Sequence, residues 1–494
     1  MQAKETKFSY VYQSLKTRIV SGQLQQGSSL PSGRRRGQEY QVGIRTVTEV
    51  LKALQEEGLI EIQPRRAPRV CGPGAGQEPS AAALAVLAHR DGLMQMYRTM
   101  ALLLPAMLTV SAKDCIIEEL PHYTQAVRVD RRGVTLCGWR PVSALCQDVL
   151  CHGGNPLFCD VYATFDTHSY LNFFIREQKA FTGLSLQEMF HSASALIGIL
   201  GGRDPLQKQR QLTAMYQKIE QAVAQSMERL EAVFPHGARE AEPVFRWNAA
   251  RGRDHYYTRI VRDLVNKIGT GVYPSGTFLP PEAQLPRAYG VSLSTVRSAL
   301  AQLNRLGFGQ TFNVKGSMVL VPYDSVVFRS LQNQTSKQDT LLYLYALQFL
   351  ILAVPPGALL AAPHITEEEM LVLSRPFEAP GVIPLGELMQ CVLGRLELEP
   401  LRVILEELTK LTQWGYYFAF YRNQSDSTNL LNQKSLAAFR CLQEGDAQGF
   451  AEGMAESYRH VLNVVRRFVV DKYATCRRPG ISAHRTLSPG DAQT

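Results

Sequence analysis

Two groups of residues in this chain have the chemistry to engage a polyanion. The first is Arg34, Arg35 and Arg36, then Arg45, Thr46 and Thr48, then Arg65 and Arg66. The second is Ser292, Ser294, Thr295 and Arg297, followed by Lys315 and Gly316. An Arg guanidinium is a planar fork that matches the two acceptors of a guanine edge, and one good bidentate pair discriminates bases by about 1–3 kcal/mol. Hydroxyls and helix N-terminal amides hold phosphates and fix register instead. The residue types suit double-stranded DNA. The second group has fewer cations, so weaker binding is expected of it.

What must position these residues is a repeated element. Residues 30–54, LPSGRRRGQEYQVGIRTVTEVLKAL, and 279–303 share one pattern 249 positions apart. Both open on Leu-Pro (Leu30-Pro31, Leu279-Pro280), and both place Thr-Val sixteen residues later (Thr46-Val47, Thr295-Val296). Both then run apolar at helical spacing: Val47, Val50, Leu51, Leu54 against Val296, Ala299, Leu300, Leu303. One such run alone is an ordinary amphipathic helix; two with identical spacing are a duplicated unit. In the first copy a helix over about 9–21, a second from Ser32, a third over about 43–57 stopped by Gly58, and extended runs Leu59–Gln63 and Ala67–Val70 around Pro64-Arg65-Arg66 make a winged helix-turn-helix. Its third helix would enter the major groove, with its wing on phosphate or the minor groove.

Charge follows the repeat. Residues 1–70 hold twelve Lys/Arg against six Asp/Glu, and 254–322 hold seven against three, so these segments account for the chain's net +9. At 494 residues with 45% hydrophobic and 20% charged content, the chain is long enough for three or four domains. Its nine cysteines form no CxxC framework and read as reduced thiols. Cys146, Cys151, His152 and Cys159 cluster, but match no zinc-module spacing. The N-terminus MQAKETKFSY is polar, unlike a secretory signal. The most apolar run, Leu341–Val354, is expected to end at Pro355-Pro356, too short for a bilayer. The expected location is the cytoplasm.

The duplication extends further. Long apolar helices are expected from Asp91 and Asp339, 248 apart. GNPLFCDVYATF at Pro156 parallels LEPLRVILEELTKL at Pro400, 244 apart, and Asp204 parallels Asp446, 242 apart. The expected fold is mainly α and internally duplicated: two winged helix-turn-helix domains with small β wings (1–72, 252–323) alternate with two all-helical bundle domains (84–235, 328–474). The joints are near 72–83, 235–253 and 329–338, and a tail over 475–494 has little to bury.

The repeat resembles the winged helix of the GntR family of bacterial transcription regulators. That family's pattern is a Gly-x-x-x-x-Gly lead-in, LPSER, a short turn and VSRxTVRxAL. GQLQQGSSLPS and GVYPSGTFLPP match the lead-in, and YGVSLSTVRSAL matches the third helix. The resemblance places Arg34 on the family's DNA-contacting Arg, Thr46 and Thr295 on its Thr, and Arg297 on its late Arg. In the first copy Gly33 replaces the acidic residue and Thr48 the late Arg; in the second, Ala283 replaces the early Arg. Each head would then recognise different bases.

The helical halves are loosely similar to FadR-like (FCD-type) effector domains, which hold a small acid, sometimes through a metal bound by an Asp and three His. Asp148, His152 and His191 are weak candidates, but the later His positions fall near Tyr216 and Ser435, so no metal or other cofactor is expected. Arg140, Arg203 and Arg402 are carboxylate-clamp candidates set against solvated helix charges. The implied protein is a non-enzymatic, small-molecule-controlled repressor or activator. Its fused halves would act as a pseudo-dimer within one chain, and possibly also as a homodimer. A ligand-free scaffold, or a metal-assisted enzyme at Asp148/His152, are the alternatives.

Overall fold

The spacing of Val47, Val50, Leu51 and Leu54 gives helix α1 (Ile44–Glu56) one apolar face, and all four are buried in the computed structural model of the chain. The structure describes residues 8, 11, 12, 15, 16, 19, 24, 27, 29, 30 and 33, then 42–63, 66–71, 79–132, 139–169, 193–235, 245–249, 256–269, 271–313, 315–320, 334–378, 384–412 and 425–474. The expected tail over 475–494 lies outside these residues.

The chain divides into two units. The first comprises residues 1–254, 352–365 and 391–411. Its winged helix is built on one core in which Val11, Leu15 and Ile19 meet the buried face of α1, Leu30, Leu59, Ile60 and Val70. Strands β1 (Ile60–Glu61) and β2 (Arg69–Val70) pair antiparallel, Ile60 opposite Val70. Ser29 bridges to Arg69 on the other edge.

The helical part of this unit runs α2 (Pro79–Ala88), α3 (Arg90–Ser111), α4 (Tyr123–Arg132), α5 (Trp139–His152), α6 (Pro156–His168), α7 (Ala193–Gly201) and α8 (Pro205–Val233). The first joint is therefore helical from Pro79, a residue suited to a first helical turn. Helices α3 and α8 pack along one another. Asn155 and Asp204 cap α6 and α8 by accepting from the Leu157 and Leu206 amides, each with a proline at the first helical position. The middle joint is anchored. Phe245, Trp247 and Ala249 are buried, and the Phe245 ring lies 5.3 Å from that of Phe165. Aromatic side chains, invisible to a reading of Pro, Gly and charge, hold it down.

The second unit comprises 255–351, 366–390 and 412–494. Its winged helix contains α9 (Tyr256–Gly269), α10 (Leu285–Tyr289), α11 (Leu293–Arg305), β3 (Gly309–Phe312) and β4 (Gly316–Val319). The long helix α12 (Gln334–Ala361) follows, with α13 (Glu367–Glu378), α14 (Pro384–Arg395), α15 (Glu399–Leu411), α16 (Ser425–Gln443) and α17 (Ala447–Ala474); α12 and α14 run across the unit boundary, and α15 belongs to the first unit. Helix α12 corrects two expectations. It begins inside the supposed polar joint, and it passes through Pro355-Pro356 instead of ending there. Helix α3 likewise contains Pro105, so each half carries a long helix that tolerates proline near its C-terminal end. By length and composition both α3 and the 339–364 stretch are long enough to cross a membrane, yet 61% and 50% of their most apolar windows are buried within the protein.

Several elements of the helical segments recur in matching order. Helices α6 and α15 are each 13 residues, and α8 and α17 are 29 and 28. Asp446 accepts from the Gly449 amide at the start of α17, as Asp204 does for α8.

A buried ion pair ties the second winged helix to its helical segment. Arg262 on α9 donates to Asp339 on α12 at 3.0 Å, and both side chains are almost wholly buried. Asp91, the counterpart of Asp339, is exposed and pairs with its neighbour Arg90. Removing one member of a buried pair strands a charge and costs about 3–5 kcal/mol, whereas an apolar replacement of both is near neutral. Asp339→Ala should therefore destabilise the second unit by about that amount in urea unfolding, and Arg262→Met/Asp339→Leu should recover most of it. A single-variant cost below about 1 kcal/mol, the range of an exposed pair, would contradict this role.

Candidate nucleic-acid interface

Each recognition helix is held from behind by the same hydrogen bonds, 249 positions apart. Gly58 and Gly307, at φ +72° and +81°, end α1 and α11. Their amides donate to the Gln55 and Asn304 carbonyls, and the next amides, of Leu59 and Phe308, donate to Leu54 and Leu303. Such a left-handed closure satisfies terminal carbonyls at a backbone angle that favours glycine. Leu59 and Phe308 then enter the core and start the wing. The lead-in glycines do the same at the other edge: the Gly27 amide donates to Val70 at 2.7 Å, and that of Gly276 to Val319 at 2.9 Å.

On the outer face the two heads differ. In the first, Ile44, Arg45 and Thr48 are exposed and Thr46 is half-buried. Arg45 Nε lies 3.1 Å from Glu49, a thoroughly exposed pair that restrains it little. The Thr48 hydroxyl donates back to the Ile44 carbonyl. Gly43 precedes the helix and offers no side-chain cap, leaving the first amides of α1 to an external acceptor. Arg66 is exposed on the wing. Arg34, Arg35, Arg36 and Arg65 lie outside the described residues.

In the second head the hydroxyl of Ser292 caps α11 through the Thr295 amide and stands 2.9 and 2.8 Å from the Ser294 and Thr295 hydroxyls. Arg297 Nε donates to Glu282 at 2.6 Å. Lys315 is exposed at the wing tip and Gly316 has φ +94°. Glu282 is the residue that residue-type reasoning missed. Its counterpart is Gly33, and that of Arg297 is Thr48. The two departures of the first head from the expected pattern are thus one loss: it lacks both halves of an ion pair that the second head retains. A Cβ at Gly33 would meet nothing within 4 Å, so no steric need dictates glycine there.

Behind the faces a second exchange appears. In the first head Glu57, just after α1, accepts from Tyr12 and pairs with Lys16 at 2.9 Å. Shifted by 249, these three positions are Val261, Val265 and Leu306, all fully buried. A polar clasp in one head is apolar core in the other.

The candidates in the helical part do not assemble into a metal centre. Asp148 is engaged not by His152 but by His122, whose backbone amide and ring Nδ1 both lie 2.9 Å from one carboxylate oxygen. His152 is exposed at the end of α5, and His191 lies outside the described residues. Among the described residues, no three His, Cys, Asp or Glu converge as metal ligands. Cys146 is buried while Cys151 and Cys159 meet at 2.8 Å. Tyr216 and Ser435 are buried where the resemblance would place histidines. Residues 366–370, TEEEM, form a capping box, Thr366 and Glu369 exchanging hydrogen bonds at the start of α13. Arg402 pairs with Glu406 along its own helix.

With both heads described, the comparison with known proteins is decisive for the family. The profile described as "Bacterial regulatory proteins, gntR family" matches residues 8–70 and 256–319. Both winged-helix segments belong to the GntR family. It is similar to the uncharacterised HTH-type transcriptional regulator Rv0494 of Mycobacterium tuberculosis, 36% identical over 64 residues, which are 13% of this chain and 26% of that protein. The match thus spans about a quarter of that relative's length. Solved structures similar to this chain include Lar, which controls expression of the Listeria monocytogenes agr system (16% identity, 43% of this chain, 98% of that one, TM-score 0.23). Escherichia coli McbR/YncC is another (12% identity, 45% and 100%, TM-score 0.22). At such scores the winged-helix sequence match alone carries the assignment.

The clasp makes the first head sensitive to acid. The Tyr12 hydrogen bond, then that of Lys16, lowers the Glu57 pKa below its ordinary value. A carboxylate lowered on folding contributes stability that is present above its unfolded pKa of about 4.3 and lost as pH falls through the folded value. Glu57→Gln should therefore lower the first head's unfolding midpoint at pH 7, and the difference from the parent should vanish in acid. A difference that persists unchanged to pH 2 would disprove this linkage.

Proposed function

We propose that this GntR-family chain is a DNA-binding transcription regulator whose two unequal heads read the two halves of one asymmetric operator. The observation that carries the reading is the Glu282–Arg297 pair in one recognition face against Gly33 and Thr48 in the other. In the first head Arg34, Arg35, Arg36 and Arg45 face bases and nearby phosphates, Thr46 and Thr48 hold the backbone, and Arg65 and Arg66 extend the wing. In the second, Arg297 is oriented by Glu282 toward a base edge, Ser292, Ser294 and Thr295 hold phosphate, and Lys315-Gly316 form the wing tip.

The helical segments act as a fused pseudo-dimer. Support comes from within the first unit, where α15 of the second half packs on α3 of the first. Gln95 accepts from the Glu399 amide at 3.0 Å, and Glu407 accepts from the Ala249 amide of the anchored joint. A small-molecule effector acts through the helical segments without metal. The chain of buried Tyr162 and Ser143 and half-buried Asp166, linked at 3.3 and 3.0 Å, is the polar feature that would receive it. The protein works in the cytoplasm, where its operator is, and has no catalytic role.

Selection of duplexes from a random pool by the full chain tests this. Two unlike half-sites are expected; a strict palindrome would overturn the reading. Arg45→Ala should cost roughly 5- to 150-fold in affinity and relax one half-site, from about 1–3 kcal/mol per bidentate pair. Lys315→Ala should reduce the salt slope by about 1 without changing sequence preference. Gly33→Glu/Thr48→Arg should move the first half-site toward the second's sequence.

A further inference from the structure

Cys151 and Cys159 belong neither to the DNA-reading faces nor to the Ser143–Tyr162–Asp166 chain. Cys151 is exposed, one residue from the end of α5, and Cys159 is half-buried in the first turn of α6. Their sulfurs are 2.8 Å apart, only about 0.8 Å beyond the disulfide bond length of ~2.05 Å.

The backbone, not the thiols, sets this approach. The turn between them is His152-Gly153-Gly154-Asn155. The Gly153 amide donates to the Val149 carbonyl and the Gly154 amide to that of Cys151, both at 3.1 Å. Gly154 has φ +75°, and the Asn155 side chain caps α6. Gly153 presses on the end of α3, where a Cβ would fall 2.5 Å from the Ser111 hydroxyl and 2.8 Å from its Cα. Two rigid helix ends, joined by a turn seated on a third helix, hold the sulfurs in near-bonding range.

We propose that Cys151 and Cys159 form a reversible dithiol–disulfide site whose co-substrate is a low-molecular-weight disulfide of the glutathione type. The exposed Cys151, as thiolate, attacks one sulfur of that disulfide. The small molecule's S–S bond breaks, one small thiolate leaves, and a mixed disulfide remains on Cys151. Cys159 gives its proton to solvent and attacks the Cys151 sulfur, expelling the second small thiolate. Two protein thiols and one small disulfide become one intrachain disulfide and two small thiols, and two electrons pass to the small molecule. Burial, and then the contact with Cys151, raises the Cys159 thiol above its ordinary range, so Cys159 attacks second and its step is the slower of the two, carried by the enforced proximity of the sulfurs. Cys146, five residues before Cys151, is fully buried and pushed up to about 12, and takes no part.

The consequence is local. The bond would staple α5 to α6 across a turn seated on α3, so the rigidity of this helical segment would follow the redox poise of its compartment. Disulfides in reducing compartments are usually transient and sensing ones. This site does not depend on the DNA-reading role proposed above.

The test uses the full chain equilibrated in buffers of fixed reduced-to-oxidised glutathione ratio, acid-quenched, alkylated and mapped by mass spectrometry. As the ratio falls, the segment containing both residues should lose two hydrogens and escape alkylation at both, and dithiothreitol should reverse this. In Cys159→Ser, Cys151 should instead accumulate one glutathione. Two thiols that stay alkylated at every ratio would overturn the proposal. So would two that each carry a separate glutathione without linking.

Discussion

The end of each recognition helix is the point on which both heads depend. A helix that presents its N-terminus to a groove must be gripped at its other end, and its last carbonyls need partners. Gly58 and Gly307 solve both problems by turning left-handed. The amide after each glycine closes on Leu54 or Leu303, and the side chain that follows, Leu59 or Phe308, drops into the same core that holds the helix. Helix, turn and wing thereby become one packed object. A β-carbon at either glycine would strain this turn whatever space surrounded it. The reading face is free to vary because its support is fixed from behind.

That separation explains where the two copies diverged. The backbone closures recur at a constant spacing of 249, whereas the charged groups do not. The first head retains Tyr12, Lys16 and Glu57 as an exposed clasp; the second has Val261, Val265 and Leu306 at those positions, buried. Each solution is self-consistent, since a partly exposed ion pair contributes little and well-packed apolar groups of similar size replace it readily. A chimera mixing one Val with Glu57 would satisfy neither. Substitutions at such sites travel as sets, and Gly33 with Thr48 is a second such set on the outer face.

The heads were legible in the sequence because their signals are local. Apolar spacing at Val47, Val50, Leu51 and Leu54, a stop at Gly58 and the Leu30-Pro31 lead-in all act within one or two turns, and their repetition removed the ambiguity of a single copy. What stayed hidden is carried by pairs distant along the chain. Glu282 reaches Arg297 across fifteen positions, His122 reaches Asp148 across twenty-six, and Arg262 reaches Asp339 across seventy-seven. Residue type alone gives no reason to join them. Proline misled in another way. Pro355-Pro356 reads as a helix stop because each proline removes an amide donor and crowds the preceding turn. Yet α12 continues to Ala361, packed well enough to absorb that cost.

Covalent fusion gives the proposed regulator a freedom that two separate chains lack. A dimer of identical chains presents two identical faces, so any substitution appears in both half-sites at once and the operator stays palindromic. When both heads lie on one chain, a substitution in one leaves the other intact. The linkage also raises the effective concentration of the second head once the first is bound, so a weaker second head with fewer cations still contributes to avidity. The losses at Gly33, Thr48 and Ala283 are then tolerable one head at a time. The buried Arg262–Asp339 tie anchors the second head to its helical segment. Anchoring of this kind lowers the ordering cost of binding.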